Sequence, residues 1–431
     1  MSVEERMTVD ERYKYLRQMQ RRYRRAGRRE RGQLLDEMEA VTGQHRKHLI
    51  RLMGRSLQRK PRRRQRGRTY GPEVERVVGK VAQSLNYPSA ERLQPNLVWL
   101  ADLLAQHGEV VLTDEIRAQL KRISISTLQR MSLRLPRDMP RPRPRHPRPS
   151  RTLAKSIPME RIPWNVGEVG HLEVDLVHHC GPSPSGEYAH TLQFLDVCSG
   201  WSERVAILGR SYLVVLDAVT YLAHRIPFPV RTLHVDNGAE FLNNHFVRLV
   251  RMLFPDVRLL RSRPYHKNDN PYVEGANRNL VRDYFGYDRL DTVLQTRTLN
   301  RIYDLLWYYD NLFQPVMRMV GKETRVDAKG QRRIRKHFDR ARPPLDRTMK
   351  AGVLSPDCQE TLLRYRQQEN PLQLREDIYA AIEALFALPN AGEERQDVRQ
   401  TLFYPDPHGA QTAPSSECTL PTRWTTWVPK V

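Results

Sequence analysis

The stretch His234-Val235-Asp236-Asn237-Gly238-Ala239-Glu240-Phe241 decides the fold of this 431-residue chain. Its first two residues end an apolar, β-branched run, Thr232-Leu233-His234-Val235, which is typical of a buried strand. Asp236 follows immediately, and Asn237 and Gly238 suit a turn because both tolerate positive φ. The stretch therefore predicts a strand followed by an acidic turn and a helix, which is a unit of an α/β fold.

The residues on either side extend this unit into a sheet. Three short strand-like runs precede it, separated by turns at Gly186 and Ser199-Gly200, and helical and strand-like periodicities then alternate. The predicted elements are strands at 170–176, 191–196 and 204–208, a helix at 212–224, a strand at 232–235, a helix at 246–253 and a strand at 257–260. An antiparallel meander followed by helix–strand–helix–strand predicts a mixed α/β sheet.

Three acidic residues fall where neighbouring strands could bring them together. Asp175 lies on the first predicted strand, Asp236 directly follows the fourth, and Glu274 opens a predicted helix. Clustered carboxylates suit Mg²⁺, and two Mg²⁺ ions about 3.5–4 Å apart can drive phosphodiester cleavage. Glu173 and Asp196 compete for the same role, and a single acid is more often exposed or capping than catalytic. The combined order of the three predicts metal-dependent phosphoryl transfer.

Three segments together carry a resemblance to a known family: the stretch at 234–241, Ser262-Arg263-Pro264-Tyr265-His266-Lys267-Asn268-Asp269-Asn270, and Val273-Glu274 with Asn277. They are similar to the integrase-type catalytic core of bacterial insertion-sequence transposases, and the resemblance spans residues 164–290. It implies an RNase H-like fold with a DDE triad, which maps onto Asp175, Asp236 and Glu274 as catalytic and metal-binding residues. It also implies two Mg²⁺ ions, for which Mn²⁺ can substitute.

The chain departs from that family's pattern at two points. Retroviral members carry a DNA-binding lysine seven positions after the final glutamate, whereas this chain has Val281 there. Arg278 and Arg282 are the alternatives for that role. The N-terminus has no His/Cys zinc module of the retroviral kind, which leaves recognition of DNA ends to helix-turn-helix elements.

Most of the positive charge lies in the N-terminal third. Residues 1–150 contain 35 Lys and Arg against 16 Asp and Glu, a net charge of +19 within +23 for the whole chain. Such an excess favours a polyanionic partner, of which nucleic acid is the commonest. The basic run at 60–68 strengthens that interpretation.

Residues 1–70 are predicted to form a helix-turn-helix DNA-binding region. Thr8-Val9-Asp10-Glu11 has the spacing of a capping box, and a basic helix follows the break at Gly43. The second helix of such a motif enters the major groove, which predicts that it contacts DNA. The predicted DNA-binding residues of this helix are Arg46, Lys47 and Arg51. A helical hairpin with a solvated basic face fits the same pattern.

The remaining segments complete the predicted domain order. Residues 71–134 are a second helical region with a weaker helix-turn-helix pattern, and residues 135–163 are a Pro/Arg-rich linker, which is expected to be extended and able to follow phosphates. The catalytic core spans 164–290. A helical and basic C-terminal extension spans 291–345, and a helical segment with a mobile tail spans 346–431. Further predicted DNA contacts are Arg141, Arg143, Arg145, His266, Lys267, Asn277, Arg278 and Arg282.

Composition restricts the setting. The four cysteines form no CxxC pair, the N-terminus is charged, and no apolar run approaches the roughly 18 residues of a membrane span. A cytoplasmic, nucleoid-associated bacterial protein without a membrane partner is expected. We expect an α/β, RNase H-like transposase that cleaves element ends and joins them to target double-stranded DNA as a homo-oligomer. The alternatives are a catalytically inactive sequence-specific DNA-binding regulator and an RNase H-like nuclease without strand transfer.

Overall fold

The chain divides into two compact units, with the boundary between Thr69 and Tyr70. The computed structural model describes residues 7–57, 69–138, 167–235, 241, 244–261, 277–326 and 332–391. Asp236, Glu274 and the Pro/Arg-rich residues 139–163 lie outside the described residues.

The first unit contains three helices, α1 (Val9–Arg25), α2 (Arg28–Thr42) and α3 (Arg46–Met53). The predicted capping box is present, since Thr8 N donates to Glu11 Oε2 at 2.7 Å and Glu11 N donates to Thr8 Oγ1 at 3.3 Å. A left-handed residue, Gly43 at φ 64°, ends α2. The three helices share a small core of Leu16, Met19, Leu34, Leu35, Met38, Leu49 and Met53.

The second unit is built on a five-stranded sheet with strand order β3-β2-β1-β4-β5. Its strands are β1 (His171–His178), β2 (Ala189–Asp196), β3 (Ser202–Leu208), β4 (Thr232–Val235) and β5 (Arg258–Arg261). The first three are antiparallel, and β4 and β5 run parallel to β1. This confirms the predicted mixed sheet and is consistent with an RNase H-like core.

Two helices make the crossovers that parallel strands require. Helix α9 (Tyr212–Ala223) joins β3 to β4, and α10 (Asn244–Leu253) precedes β5. A π-helical turn at Asn277–Arg282 continues into α11 (Asp283–Phe285). Helix α12 (Val293–Tyr308), followed by a π-helical turn at Tyr309–Phe313, then packs against β3. Fully buried Trp201, Trp307 and Tyr303 lie in this core.

The helices between residues 71 and 134 do not form a unit of their own. Their apolar faces belong to the same continuous core as the sheet. Two long-range contacts fix them there: Tyr309 Oη donates to Ser84 O at 2.9 Å, and Arg375 Nε donates to Asn86 Oδ1 at 2.7 Å. These helices are α4 (Pro72–Ser84), α5 (Ala90–Leu93), α6 (Leu97–Gln106), α7 (Asp114–Arg122) and α8 (Ile125–Ser132).

The predicted helical and basic C-terminal extension at 291–345 contains strands as well as the helix α12. Residues after Phe313 form an antiparallel hairpin of β6 (Met319–Val326) and β7 (Arg332–Phe338). Its strands contain six Lys and Arg against one Glu. Three helices follow, α13 (Pro344–Ala351), α14 (Pro356–Gln368) and α15 (Pro371–Ala387). Among the described residues, no helix is long and apolar enough to cross a membrane.

Candidate active site

Asp175 lies in the middle of the central strand β1 and is half-buried. Its Oδ1 accepts a hydrogen bond from Leu176 N at 2.9 Å. Across the ladder it faces Gln193 of β2, and on the other side β4 runs parallel to β1 with His234 beside Glu173. The last described residue of β4 is Val235, which directly precedes Asp236 in the sequence.

The competing acid Asp196 has a structural role. Its Oδ1 accepts from Gly170 N at 2.8 Å and His171 N at 3.1 Å, and its Oδ2 accepts from both the backbone and the hydroxyl of Ser199 at 2.6 Å. These four bonds join the start of β1 to the turn between β2 and β3. Its carboxylate is 0% exposed and fully engaged, which makes Asp196 unsuitable as a metal ligand. Glu173, the other competitor, is also fully buried, two residues before Asp175.

The segment after Glu274 packs near Asp175. Val281, at the position where retroviral integrases carry lysine, is 0% exposed and belongs to the main core. Arg282 donates to His178 O at 2.8 Å and to Gly286 O at 3.1 Å, and its guanidinium lies 4.4 Å from the ring centre of Tyr287. Burial lowers the pKa of Arg282, and Asp175 is among the groups whose negative charge opposes that shift.

Some of the remaining predicted DNA-contacting residues lie among the described residues and others do not. In the first unit, Lys47 and Arg51 are exposed, whereas Arg46 forms an ion pair with Asp36 and donates to Gly32 O at 3.2 Å. Arg51 also contacts His48 Nδ1 at 3.2 Å. The predicted contacts outside the described residues are Arg141, Arg143, Arg145, His266 and Lys267, and the side chains of Asn277 and Arg278 are likewise not described.

Two buried polar residues continue the row that starts at Asp175. Gln193 lies opposite Asp175 on β2, and Arg204 lies opposite Gln193 on β3. Gln193 is 0% exposed, and within the described part of the chain neither end of its amide has a hydrogen-bond partner. Neither residue lies in a recognisable sequence motif. Their signal is that both are polar residues directly opposite each other on buried strands, which becomes visible once the register is known.

A buried histidine cluster lies at the far end of β1. His190 of β2 pairs with His178 and stacks on Tyr188, with ring centres 4.5 Å apart. Burial lowers the pKa of His190 to about 3, and it lowers the pKa of His179 well below its usual value. His179 Nε2 shares a 2.8 Å hydrogen bond with Thr191 Oγ1, which in turn contacts Tyr303 Oη at 2.5 Å. Both rings are therefore neutral parts of the core.

One of the three predicted metal ligands lies among the described residues. Among the residues that the structure describes, no three His, Cys, Asp or Glu side chains come together as a metal site. Asp175 is the one described member of the predicted triad. The predicted set consists only of carboxylates, which is the hard oxygen chemistry that Mg²⁺ takes.

The fold and this position of Asp175 define a mixed α/β protein with an acidic residue on the central strand of its sheet. No protein-family model matches the chain. It is 34% identical over 327 residues to "Uncharacterized protein y4rM" of Sinorhizobium fredii (strain NBRC 101917 / NGR234), an alignment that covers 76% of this chain and 91% of y4rM. The chain belongs to the same protein family as y4rM.

One solved structure to which the chain is similar is the catalytic core domain of BIV integrase. The sequence identity is 23%, and the TM-score is 0.21. The alignment covers 26% of this chain and 66% of that domain.

Proposed function

We propose that this protein is a DDE transposase that cleaves DNA at the ends of an insertion sequence and joins the ends to target DNA. Asp175, Asp236 and Glu274 are the proposed catalytic residues, and together they would bind two Mg²⁺ ions, with Mn²⁺ as a substitute. The observation that carries the proposal is the position of Asp175 on the central strand, beside the parallel strand β4, whose last described residue directly precedes Asp236 in the sequence.

Three features of the described residues support this site. Asp175 is half-buried, so its carboxylate is held by the sheet and still reachable. The competing carboxylate, Asp196 at the end of β2, accepts four hydrogen bonds, which leaves Asp175 as the better ligand. The 277–282 segment, which follows Glu274 in sequence, is hydrogen-bonded to β3 through Arg204.

The residue types indicate what bound metal ions would supply to the reaction and what the chain itself supplies. When bound, paired Mg²⁺ ions neutralise phosphate oxygens and activate the attacking water or 3′-hydroxyl. The chain's own part is to hold the carboxylates on rigid elements. The strand fixes the backbone of Asp175, and the Leu176 N–H bond to its Oδ1 limits the rotation of the carboxylate.

The proposed partner is double-stranded DNA, at both the element ends and the target. The net charge of +23 supports a polyanion, and exposed Lys47 and Arg51 lie on α3, the helix that follows the break at Gly43. The basic hairpin of β6 and β7 supplies a second surface, because a two-stranded ribbon fits the major groove of B-DNA. Bringing two DNA ends together would require a homo-oligomer.

The test is cleavage and strand transfer by the purified protein on DNA fragments that flank its gene, with Mg²⁺ or Mn²⁺. Asp175→Asn, Asp236→Asn and Glu274→Gln should each lower cleavage and joining about a hundredfold or more, the scale for losing one group that stabilises transition-state charge. Asp256→Asn, an exposed acid between α10 and β5, is the matched control and should keep wild-type activity. Intact joining by Asp236→Asn would refute the triad.

The same experiment separates the alternatives. A nuclease would give hydrolysed ends without branched or joined products. A catalytically inactive regulator would bind a specific site in a salt-dependent way and cut DNA under no metal condition. Footprinting on the same fragments would show which sequence is bound, and its result does not depend on catalysis.

A further inference from the structure

A row of polar side chains crosses one face of the sheet from its centre to its edge. Asp175, Gln193 and Arg204 are directly opposite one another on the antiparallel strands β1, β2 and β3. Directly opposite residues project from the same face, so the three side chains lie on one face in sequence order. The row therefore connects the candidate catalytic residue with a buried arginine on the edge strand.

The arginine at the end of this row holds the 277–282 segment. Arg204 Nη1 donates to Leu280 O at 2.8 Å, and Nη2 donates to Asp310 Oδ2 at 2.5 Å and to Leu306 O at 3.4 Å. The guanidinium also lies 5.4 Å from the ring centre of Tyr303. One side chain thus joins β3, the π-helical turn at 277–282 and the end of α12.

Burying the charged pair of Arg204 and Asp310 costs free energy of desolvation. The side chains of Arg204 and Asp310 are 1% and 5% exposed, so both charges have lost their water. Desolvation offsets most of the attraction in such a pair, and apolar residues of the same volume often give equal stability. The planar guanidinium instead fixes a position. It bonds three acceptors at fixed angles, and these define one position for the backbone of Leu280.

Gln193 gives independent support for a role beyond packing. Its fully buried amide lies between Asp175 and Arg204 in the row and has no hydrogen-bond partner among the described residues. An unpartnered buried amide costs stability, so an apolar residue would be better for folding alone. The sheet thus carries a polar row between the candidate catalytic carboxylate and the arginine, at a cost in stability.

We propose that Arg204, paired with Asp310, is a positioning residue of the active site. It fixes the 277–282 segment on the sheet face that carries Asp175, and so it sets the place of the chain that leaves Glu274. This inference rests on the proposed function, because Glu274 is a ligand only there. Arg204 acts through the backbone of Leu280 and does not touch the substrate.

The chain contains a matched control for this residue. Arg225 is buried like Arg204, with side chains that are 6% and 1% exposed, and it pairs with an aspartate of α12, donating to Asp304 Oδ1 at 2.9 Å. Its other acid partner is Glu203, at 3.0 Å. It makes no described hydrogen bond or ion pair with residues 277–282. Replacing either arginine by lysine therefore disturbs a buried pair, but only Arg204→Lys changes the contact with Leu280.

The first readout is hydrogen–deuterium exchange of the backbone amides at 279–285 in the full chain, without metal or DNA. Lysine keeps the charge for Asp310 but replaces the fork by a single ammonium group, which cannot bridge all three acceptors. Exchange at 279–285 should be about tenfold to a hundredfold faster in Arg204→Lys than in wild type. Arg225→Lys should leave these amides near wild type and act at α9 and α12 instead.

The second readout is the Mg²⁺ dependence of DNA cleavage. The Mg²⁺ midpoint should rise several-fold in Arg204→Lys and stay unchanged in Arg225→Lys, with DNA affinity equal in both. If Arg204→Lys does not fold, Asp310→Asn and its control Asp304→Asn replace the pair, because asparagine keeps an acceptor oxygen.

Equal exchange at 279–285 in the two lysine variants, or wild-type exchange in Arg204→Lys, would overturn the proposal. So would faster exchange with an unchanged Mg²⁺ midpoint, which would make the contact structural only. A wild-type protein that never cleaves DNA would refute the proposed function, and with it the positioning role, while the exchange data would still establish whether Arg204 holds the segment.

Discussion

Replacing His190 should make the free energy of unfolding of the second unit less dependent on pH, by the contribution of one titrating group. His190 is 2% exposed, and burial lowers its pKa to about 3, whereas an unfolded histidine titrates near 6.5. The folded state therefore binds fewer protons than the unfolded state between these values. The stabilisation from neutral His190 is complete above the unfolded pKa and is lost as pH falls towards the folded one.

The magnitude follows from these two values. Relative to pH 7.5, the folded state loses about 1.4 kcal/mol through His190 at pH 5.5 and about 2.7 kcal/mol at pH 4.5. His190→Leu should abolish this part of the pH dependence. Leucine also removes two ring nitrogens that are buried in the core. The stability at pH 7.5 should consequently change little, while the difference between variant and wild type grows as pH falls.

The assay is urea unfolding followed by tryptophan fluorescence at pH 7.5, 6.5, 5.5 and 4.5. All six tryptophans lie after residue 70, so the signal reports the second unit. His245→Leu on the exposed side of α10 is the control and should follow the wild-type curve, because its ring stays in solvent. A His190→Leu curve parallel to wild type from pH 7.5 to 4.5 would refute the assignment of His190 as a neutral core residue.

Three further predictions test other parts of the molecule. Thr8→Ala should destabilise the first turn of α1 by about 1 kcal/mol, seen as about fivefold faster amide exchange there, and equal exchange would contradict the capping box. Replacing exposed Arg335 and Lys336 of β7 by alanine should make the slope of log affinity for DNA against log salt shallower by about 2, whereas Lys350→Ala on α13 should not change it. Val281→Lys should lower the free energy of unfolding by about 3 kcal/mol or more in urea titrations without tightening DNA binding, and a stable variant with higher DNA affinity would show that this position reaches DNA.

The strands were predictable because their signal is local. β-branched runs interrupted by Gly186 and Gly200 predict the meander, and all five strands lie within two residues of their predicted bounds. The hairpin of β6 and β7 was missed for the opposite reason. Its strands are dominated by Lys and Arg, which give weak strand propensity, and both faces carry charge, so no apolar alternation marks them.

The grouping of the helices was not predictable from local pattern. Helices α4 to α8 have clear helical periodicity, but what attaches them to the sheet lies more than 200 positions away. Arg375 of α15 reaches Asn86, and Tyr309 reaches Ser84. Local periodicity shows which face of each helix is apolar, but it does not show which element that face packs against. For this reason residues 71–134 resembled a separate region.

Val281 shows how packing limits the transfer of a family's residue roles. It lies in the π-helical turn four positions before Phe285, and both residues are almost fully buried, so this side of the segment faces the core. A lysine there would bury a charge without a partner. Arg282, one position further, directs its guanidinium to His178 O and Gly286 O, so its ends are already engaged with backbone. Any DNA contact from this segment must therefore come from side chains on the side of the π-helical turn opposite Val281. Assigning the family's DNA-binding role by sequence spacing alone would select the wrong face of the segment.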